Sequence, residues 1–172
     1  MKDQLFSITG DGGPRLLSEV LGVLAHRRTE VRSFNAHSEH LGYRIHVLVN
    51  VQDETAASLL HRRLDRIVGV TKTVRVGADD GHRLCSVLAR VRCSDSNRGQ
   101  VTDVARAFGA EIVEVLPASI CLSYAATPSR VNEFLALIGP FGIRELAESG
   151  TIALTRGSRA ASRPSLRRVA LR

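Results

Sequence analysis

Apolar residues along this chain switch between two spacings in a regular order. Leu5-Phe6-Ser7-Ile8 reads as a strand that ends at the turn Gly10-Asp11-Gly12-Gly13. A helix follows, with Pro14 suited to its first turn and Leu17, Val20, Leu21 and Leu24 along one face. Residues 31–36 form a second predicted strand, and residues 43–51 a third that points Ile45, Val47, Val49 and Val51 inward. Leu60, Leu64 and Ile67 stripe a second helix from about Thr55, and residues 70–76 close the unit as a strand. The order is βαββαβ, the split plan of a ferredoxin-like sandwich, with two helices covering one face of a single sheet.

The plan then repeats about 77 residues later. Residues 84–91 read as a strand, and Val101, Val104, Ala105 and Phe108 stripe a helix. Two strands, 112–116 and 120–124, flank Pro117-Ala118-Ser119. Val131, Phe134, Leu135 and Ile138 stripe the last helix, and Ile152-Ala153-Leu154 supplies the final strand. The fold class is therefore α+β, with two ferredoxin-like βαββαβ units in tandem. The division is residues 1–77, a polar linker at 78–82, residues 83–157, and a basic tail at 158–172 expected to be disordered for want of periodicity. Units of this size bury a modest core alone, so a homo-oligomer is expected.

Composition adds limits. No apolar run in the 172 residues approaches the ~18 needed to cross a membrane, and the first residues lack a secretory core. Cys85, Cys93 and Cys121 are odd in number, widely spaced and set among apolar residues, which reads as three buried thiols in a reducing cytoplasm. The net charge of +7 is mostly a terminal feature: Arg159, Arg163, Arg167, Arg168 and Arg172 stand without an acid after residue 157. The rest is close to neutral, which argues against a basic nucleic-acid groove. RNA-binding versions of this topology stack bases on strand aromatics, and Phe34 and Tyr43 match no such motif.

Candidate chemistry is sparse. The turn from Gly10 to Arg15 can leave backbone amides free at a helix start, where a carboxylate or phosphate is favoured; it can equally be a tight strand-to-helix connection. His37-Ser38-Glu39-His40 reads as a hairpin surface, since only His37 and Glu39 share a face and no third ligand is anchored. Arg27-Arg28 and Arg62-Arg63 read as solvated helix ends. Glu111 and Glu114 are expected on opposite faces of a strand, which unsuits them to paired acid–base work. No catalytic or metal-binding residue is assigned.

Four blocks carry a family resemblance: Arg83-Leu84-Cys85-Ser86-Val87-Leu88, Phe108-Gly109-Ala110-Glu111-Ile112-Val113-Glu114-Val115, Pro128-Ser129-Arg130-Val131-Asn132-Glu133-Phe134-Leu135, and the stretch 139–157 beginning Gly139-Pro140-Phe141-Gly142-Ile143-Arg144-Glu145-Leu146. In this order and spacing they resemble the C-terminal domain of the small, regulatory subunits of acetolactate synthase. The first unit resembles an ACT domain, an amino-acid-sensing module.

The resemblance implies a cytoplasmic homodimer whose ACT units pair side by side and bind a branched-chain amino acid, usually valine, at their interface. It implies stimulation of a catalytic subunit that carries thiamine diphosphate, Mg2+ and FAD, with no cofactor here. Carried over by position, the effector residues are Asp11, Gly12, Gly13, Pro14, Arg15, Leu16, Glu30 and Val31. The sequence departs from the family there: Pro14-Arg15 stands where Pro-Gly is usual, and Arg28-Thr29-Glu30 where Gly, an aromatic residue and Asn are usual. An ion pair between Arg15 and Glu30 filling the pocket is expected, with weakened valine feedback. The alternative is a tandem ACT-like sensor acting on another enzyme or a transcription complex.

Overall fold

The computed structural model describes residues 2–26, 29–39, 42–77 and 80–156. The readings placed on Arg27, Arg28, His40, linker residues 78–79, Gly157 and the tail 158–172 lie outside the described residues.

The first unit runs β1 (Lys2–Gly10), α1 (Gly13–His26), β2 (Glu30–Glu39), β3 (Gly42–Val51), α2 (Glu54–Leu64) and β4 (Val70–Val76). Its strands lie in the order β2-β3-β1-β4, all antiparallel. Alternation along β1 and β3 sends Phe6, Ile8, Ile45, Val47 and Val49 to one face, where they are buried under both helices. In α1 the buried row is Leu16, Val20 and Leu24, while Leu21 is exposed and Leu17 partly buried. Of the expected face Leu17, Val20, Leu21 and Leu24, only Leu21 turns away from the core, and Leu16 joins it. Both rows have helical spacing in the sequence; the one that starts in the first turn, against Gly10, is the row that meets the sheet. Asp53 caps α2 by accepting a hydrogen bond from the Ala56 amide at 2.7 Å. Ile67 packs on the core from beyond the end of that helix.

The second unit runs β5 (Gly81–Arg92), α3 (Arg98–Phe108), β6 (Glu111–Leu116), β7 (Ser119–Ala126), α4 (Pro128–Ile138), a 3-10 turn at Gly139–Phe141, β8 (Ile143–Glu148) and β9 (Ile152–Thr155). The sheet order β6-β7-β5-β8 repeats that of the first unit. Val87, Ala89, Val91, Ile120 and Leu122 pack beneath Val101, Ala105, Phe134 and Ile138. Phe108, Tyr124 and Phe134 form an aromatic cluster with centroids 4.8–5.7 Å apart.

Three expectations change here. The fourth strand of this sheet is β8, which the sequence reading did not contain; Ile152–Thr155 is an additional strand. As an edge strand β8 is exposed along almost its whole length, so it carries no period-2 apolar signal. Glu111 and Glu114 lie on the same face, because a bulge between Ile112 and Glu114 pairs them with Ser123 and Cys121. Of the thiols, only Cys93 is buried; Cys121, opposite Arg90, is partly exposed on the sheet face that no helix covers, and Cys85 is partly exposed although it packs against the helix-covered core. No helix among the described residues is long and apolar enough to cross a membrane.

The two units share a strand. The first four residues of β5, Gly81 to Leu84, pair with β9, and the remainder of β5 is the centre of the second sheet. The β5–β9 ribbon lies over the open face of the first sheet, where Ala153 packs with Leu5 and Val76.

Candidate functional site

The carried-over effector residues lie at two separate places. Asp11 through Leu16 form the connection from β1 into α1, and Glu30 and Val31 begin β2. The glycines of the connection do different jobs. A side chain on Gly10 would run into the Gly69 carbonyl, and one on Gly42 into the Gly10 carbonyl. A Cβ on Gly69, itself at φ +91°, would come within 2.8 Å of the Gly12 Cα. The Asp11 amide donates to the Gly69 carbonyl at 2.9 Å, tying the turn to the loop before β4. Much of the glycine content is therefore close backbone packing. Gly13 differs: it sits at φ +62° with open space where a Cβ would be, at the start of α1. There the first-turn amides and the positive end of the helix dipole suit an anion.

Arg15 and Glu30 do not form the expected ion pair within the chain. The Arg15 side chain is 86% exposed and its Nε meets Glu19 Oε1 at 3.2 Å, one helical turn on. Glu30 pairs with Arg32 at 3.2 Å. The register explains why. Glu30 aligns with Asn50 and through it with Asp3, whereas Gly10 aligns with Tyr43 and through it with Ser38. The two residues thus lie at opposite ends of the sheet, roughly 20 Å apart at ~3.3 Å per residue. Val31 is exposed on this edge strand and Leu16 is buried.

The other singled-out residues stay on the surface or in structural contacts. Glu39 holds Arg44, with Nε donating at 2.6 Å, and His37 is exposed. Arg62 and Arg63 are exposed at the end of α2. Arg90 bridges Glu114 at 2.6 Å and Glu145 at 3.2 Å, and these two carboxylates raise its pKa. Phe34 and Tyr43 pack against the first core rather than standing on the open face. Among the described residues no cluster of His, Cys, Asp and Glu is placed to hold a metal ion.

The sequence reading missed the junction. His46 is buried on β3, and its Nε2 lies 3.0 Å from the Ala153 carbonyl of β9 and 3.4 Å from Ser7 Oγ. Burial lowers its pKa, the bond to Ala153 opposes that shift, and nearby Arg44 adds to it. Asn35 Nδ2 donates to the Ser149 carbonyl at 2.5 Å, and the Thr151 amide donates to Ser33 Oγ at 3.4 Å. A polar seam thus ties the 149–153 segment to the first sheet. In sequence, Arg44, His46, Leu48 and Asn50 look like the wet face of a half-buried strand, so nothing local announces a cover.

Comparisons with known proteins agree on the kind of chain this is. The family described as "Small subunit of acetolactate synthase" matches residues 86–157. The acetolactate synthase small subunit of Mycolicibacterium smegmatis is 26% identical over 155 residues, 89% of this chain and 91% of the relative. That of Bacillus subtilis is 26% identical over 145 residues, 83% of this chain and 84% of the relative. The crystal structure of the small subunit from Thermotoga maritima superposes with a TM-score of 0.79 at 19% identity, covering 91% of this chain and 98% of that one. Residues 86–157 match the family's model and the paired ferredoxin-like units share the fold of the Thermotoga maritima structure, so the chain is similar to the acetolactate synthase small subunits over most of its length.

Proposed function

We propose that this chain is a non-catalytic regulatory subunit that activates the catalytic subunit of acetolactate synthase in branched-chain amino acid biosynthesis, with weak or absent valine feedback. The observation that carries the reading is the near full-length similarity to small subunits, combined with an altered effector turn. Catalysis and its cofactors, thiamine diphosphate, Mg2+ and FAD, belong to the partner. The mechanism is linkage: this chain binds the more active arrangement of the catalytic subunit better, and an effector shifts that preference by about 1–3 kcal/mol.

The effector site needs two copies. If β2 edges pair about a two-fold axis, the start of one β2 comes level with the end of the other. Glu30 and Val31 of one copy then stand near the turn Asp11–Leu16 of the next. Arg15 weakens this site by adding a side chain and a cation at a helix start, where a cation costs about 0.3–1 kcal/mol. The test is acetolactate formation from pyruvate by the cognate catalytic subunit, with and without this chain, across a valine titration. A several-fold rise in rate with a flat valine curve is expected. No change in rate would overturn the subunit reading, in favour of a sensor for another enzyme; strong inhibition by valine would overturn the altered-feedback part alone.

A further inference from the structure

A groove of about 390 Å³ lies between α1 and α2. Its lining includes Glu19, Val23 and His26 from α1, and Arg63, Arg66 and Val68 from the end of α2 and the loop beyond it. The charge of this lining is unbalanced. Its one acid, Glu19, already holds Arg15 at 3.2 Å. Among the described residues no carboxylate comes within ion-pair distance of Arg63 or Arg66, and both arginines are exposed. A cation in the last turn complements the helix dipole, which accounts for Arg63 in α2 but not for Arg66 beyond its end.

Two further observations point to a cover. Val68 is 93% exposed, more than any other large apolar residue described. Gly22, inside α1, stands one helical turn from both Glu19 and His26. A glycine within a helix weakens it relative to alanine, and a Cβ on Gly22 would meet nothing within 4 Å, so no contact inside the chain requires the bare position. What it leaves is room for another backbone to come close. The same loop touches the connection from β1 to α1. The Val68 carbonyl lies 3.6 Å from a Cβ built on Gly12, and the Asp11 amide donates to the Gly69 carbonyl at 2.9 Å.

We propose that this groove docks an acidic segment of the catalytic partner, with its carboxylates at Arg63 and Arg66, an apolar residue on Val68 and its backbone beside Gly22. The site rests on the subunit reading above and adds to it a surface and the chemistry that surface recognises. Unpaired guanidinium groups fit carboxylates as paired hydrogen-bond donors, and such contacts are screened by salt. A ligand at the Asp11–Leu16 turn and a partner on Val68 bear on one stretch of bonded backbone, which couples the two events.

The experiment is calorimetry of the full chain with the cognate catalytic subunit. Raising NaCl from about 50 to about 500 mM is expected to weaken binding at least about fivefold. Arg63→Glu combined with Arg66→Glu is expected to weaken it at least about tenfold at low salt, with the thermal midpoint within about 2 °C of the parent. Gly22→Gln separates docking from folding: a better helix former there is expected to raise the midpoint by about 1–3 °C and still weaken binding at least about threefold. Arg144→Glu, at an exposed position on β8, is the control and is expected to change binding less than about twofold. Binding that survives both the arginine pair and Gly22→Gln overturns this site and leaves the subunit reading standing. An equal loss in Arg144→Glu also overturns the site, because net charge alone would then govern association. No binding by the parent chain overturns the site and the subunit reading together.

Discussion

His46 is the residue on which the most falls. It is a buried imidazole on the central part of one sheet whose hydrogen-bond partner belongs to a strand 107 positions further along the chain. His46→Ala removes the bond and leaves the Ala153 carbonyl without its partner, which should cost about 1–3 kcal/mol in urea denaturation at pH 7.5. The pH dependence has a definite sign. Burial depresses the folded pKa below the ordinary 6.5, so the folded state takes up the proton less readily than the unfolded chain. The stability associated with the neutral ring is whole above about 6.5 and is lost progressively as pH falls from there toward the lower folded value. Denaturation of the parent between pH 7.5 and 5.5 should show this decline, and His46→Ala should flatten part of it; parallel curves for the two proteins would remove His46 as the source. Little of this was legible beforehand. The sequence shows His46 between Ile45 and Val47, correctly marks the neighbours as core, and leaves the histidine on the side expected to face water.

Among the elements, legibility follows how much each strand buries. On the central strand β3 the inward residues Ile45, Val47, Val49 and Val51 were readable from spacing and are all buried, while β1, β5 and β7 were readable as strands without an assigned face. Edge strands bury less and said less: β8 gave no signal, and the bulge in β6 reversed the expected relation of Glu111 to Glu114. β6 has a further consequence. It is the outer strand of its sheet, and Ile112, Val113, Val115 and Leu116 are 38–57% exposed along it. An edge that displays unpaired backbone groups and apolar side chains without lysine or proline is prone to pair with another chain. Val113→Lys should lower concentration-dependent association by light scattering while leaving the thermal midpoint within about 1 °C, since an exposed surface substitution changes stability little. Unchanged association would mean that this edge is not used.

At the scale of the whole molecule, the repeated strand order and the family resemblance were both legible, because each rests on long stretches of pattern. What spacing could not show is that the units are joined by more than a linker. β9 completes no βαββαβ plan; it leaves the second sheet, pairs with the head of β5 and covers Leu5 and Val76 of the first unit. Ending the chain after residue 150 should therefore destabilise the first unit, although every residue removed lies beyond the second sheet. Hydrogen exchange of β1 and β4 amides would report this as faster exchange in the shortened protein; unchanged protection there would show that the ribbon is a passive cover. The shared strand also sets rules for recombining such subunits. A chimera joined at residues 77–80 puts the junction between two elements on paper, yet it sends the new half's terminal strand to dock on a sheet it did not evolve with. A compatible graft must carry the open face of the first sheet together with residues 81–84 and 149–155, so the inheritable block is this discontinuous set and not either half of the chain.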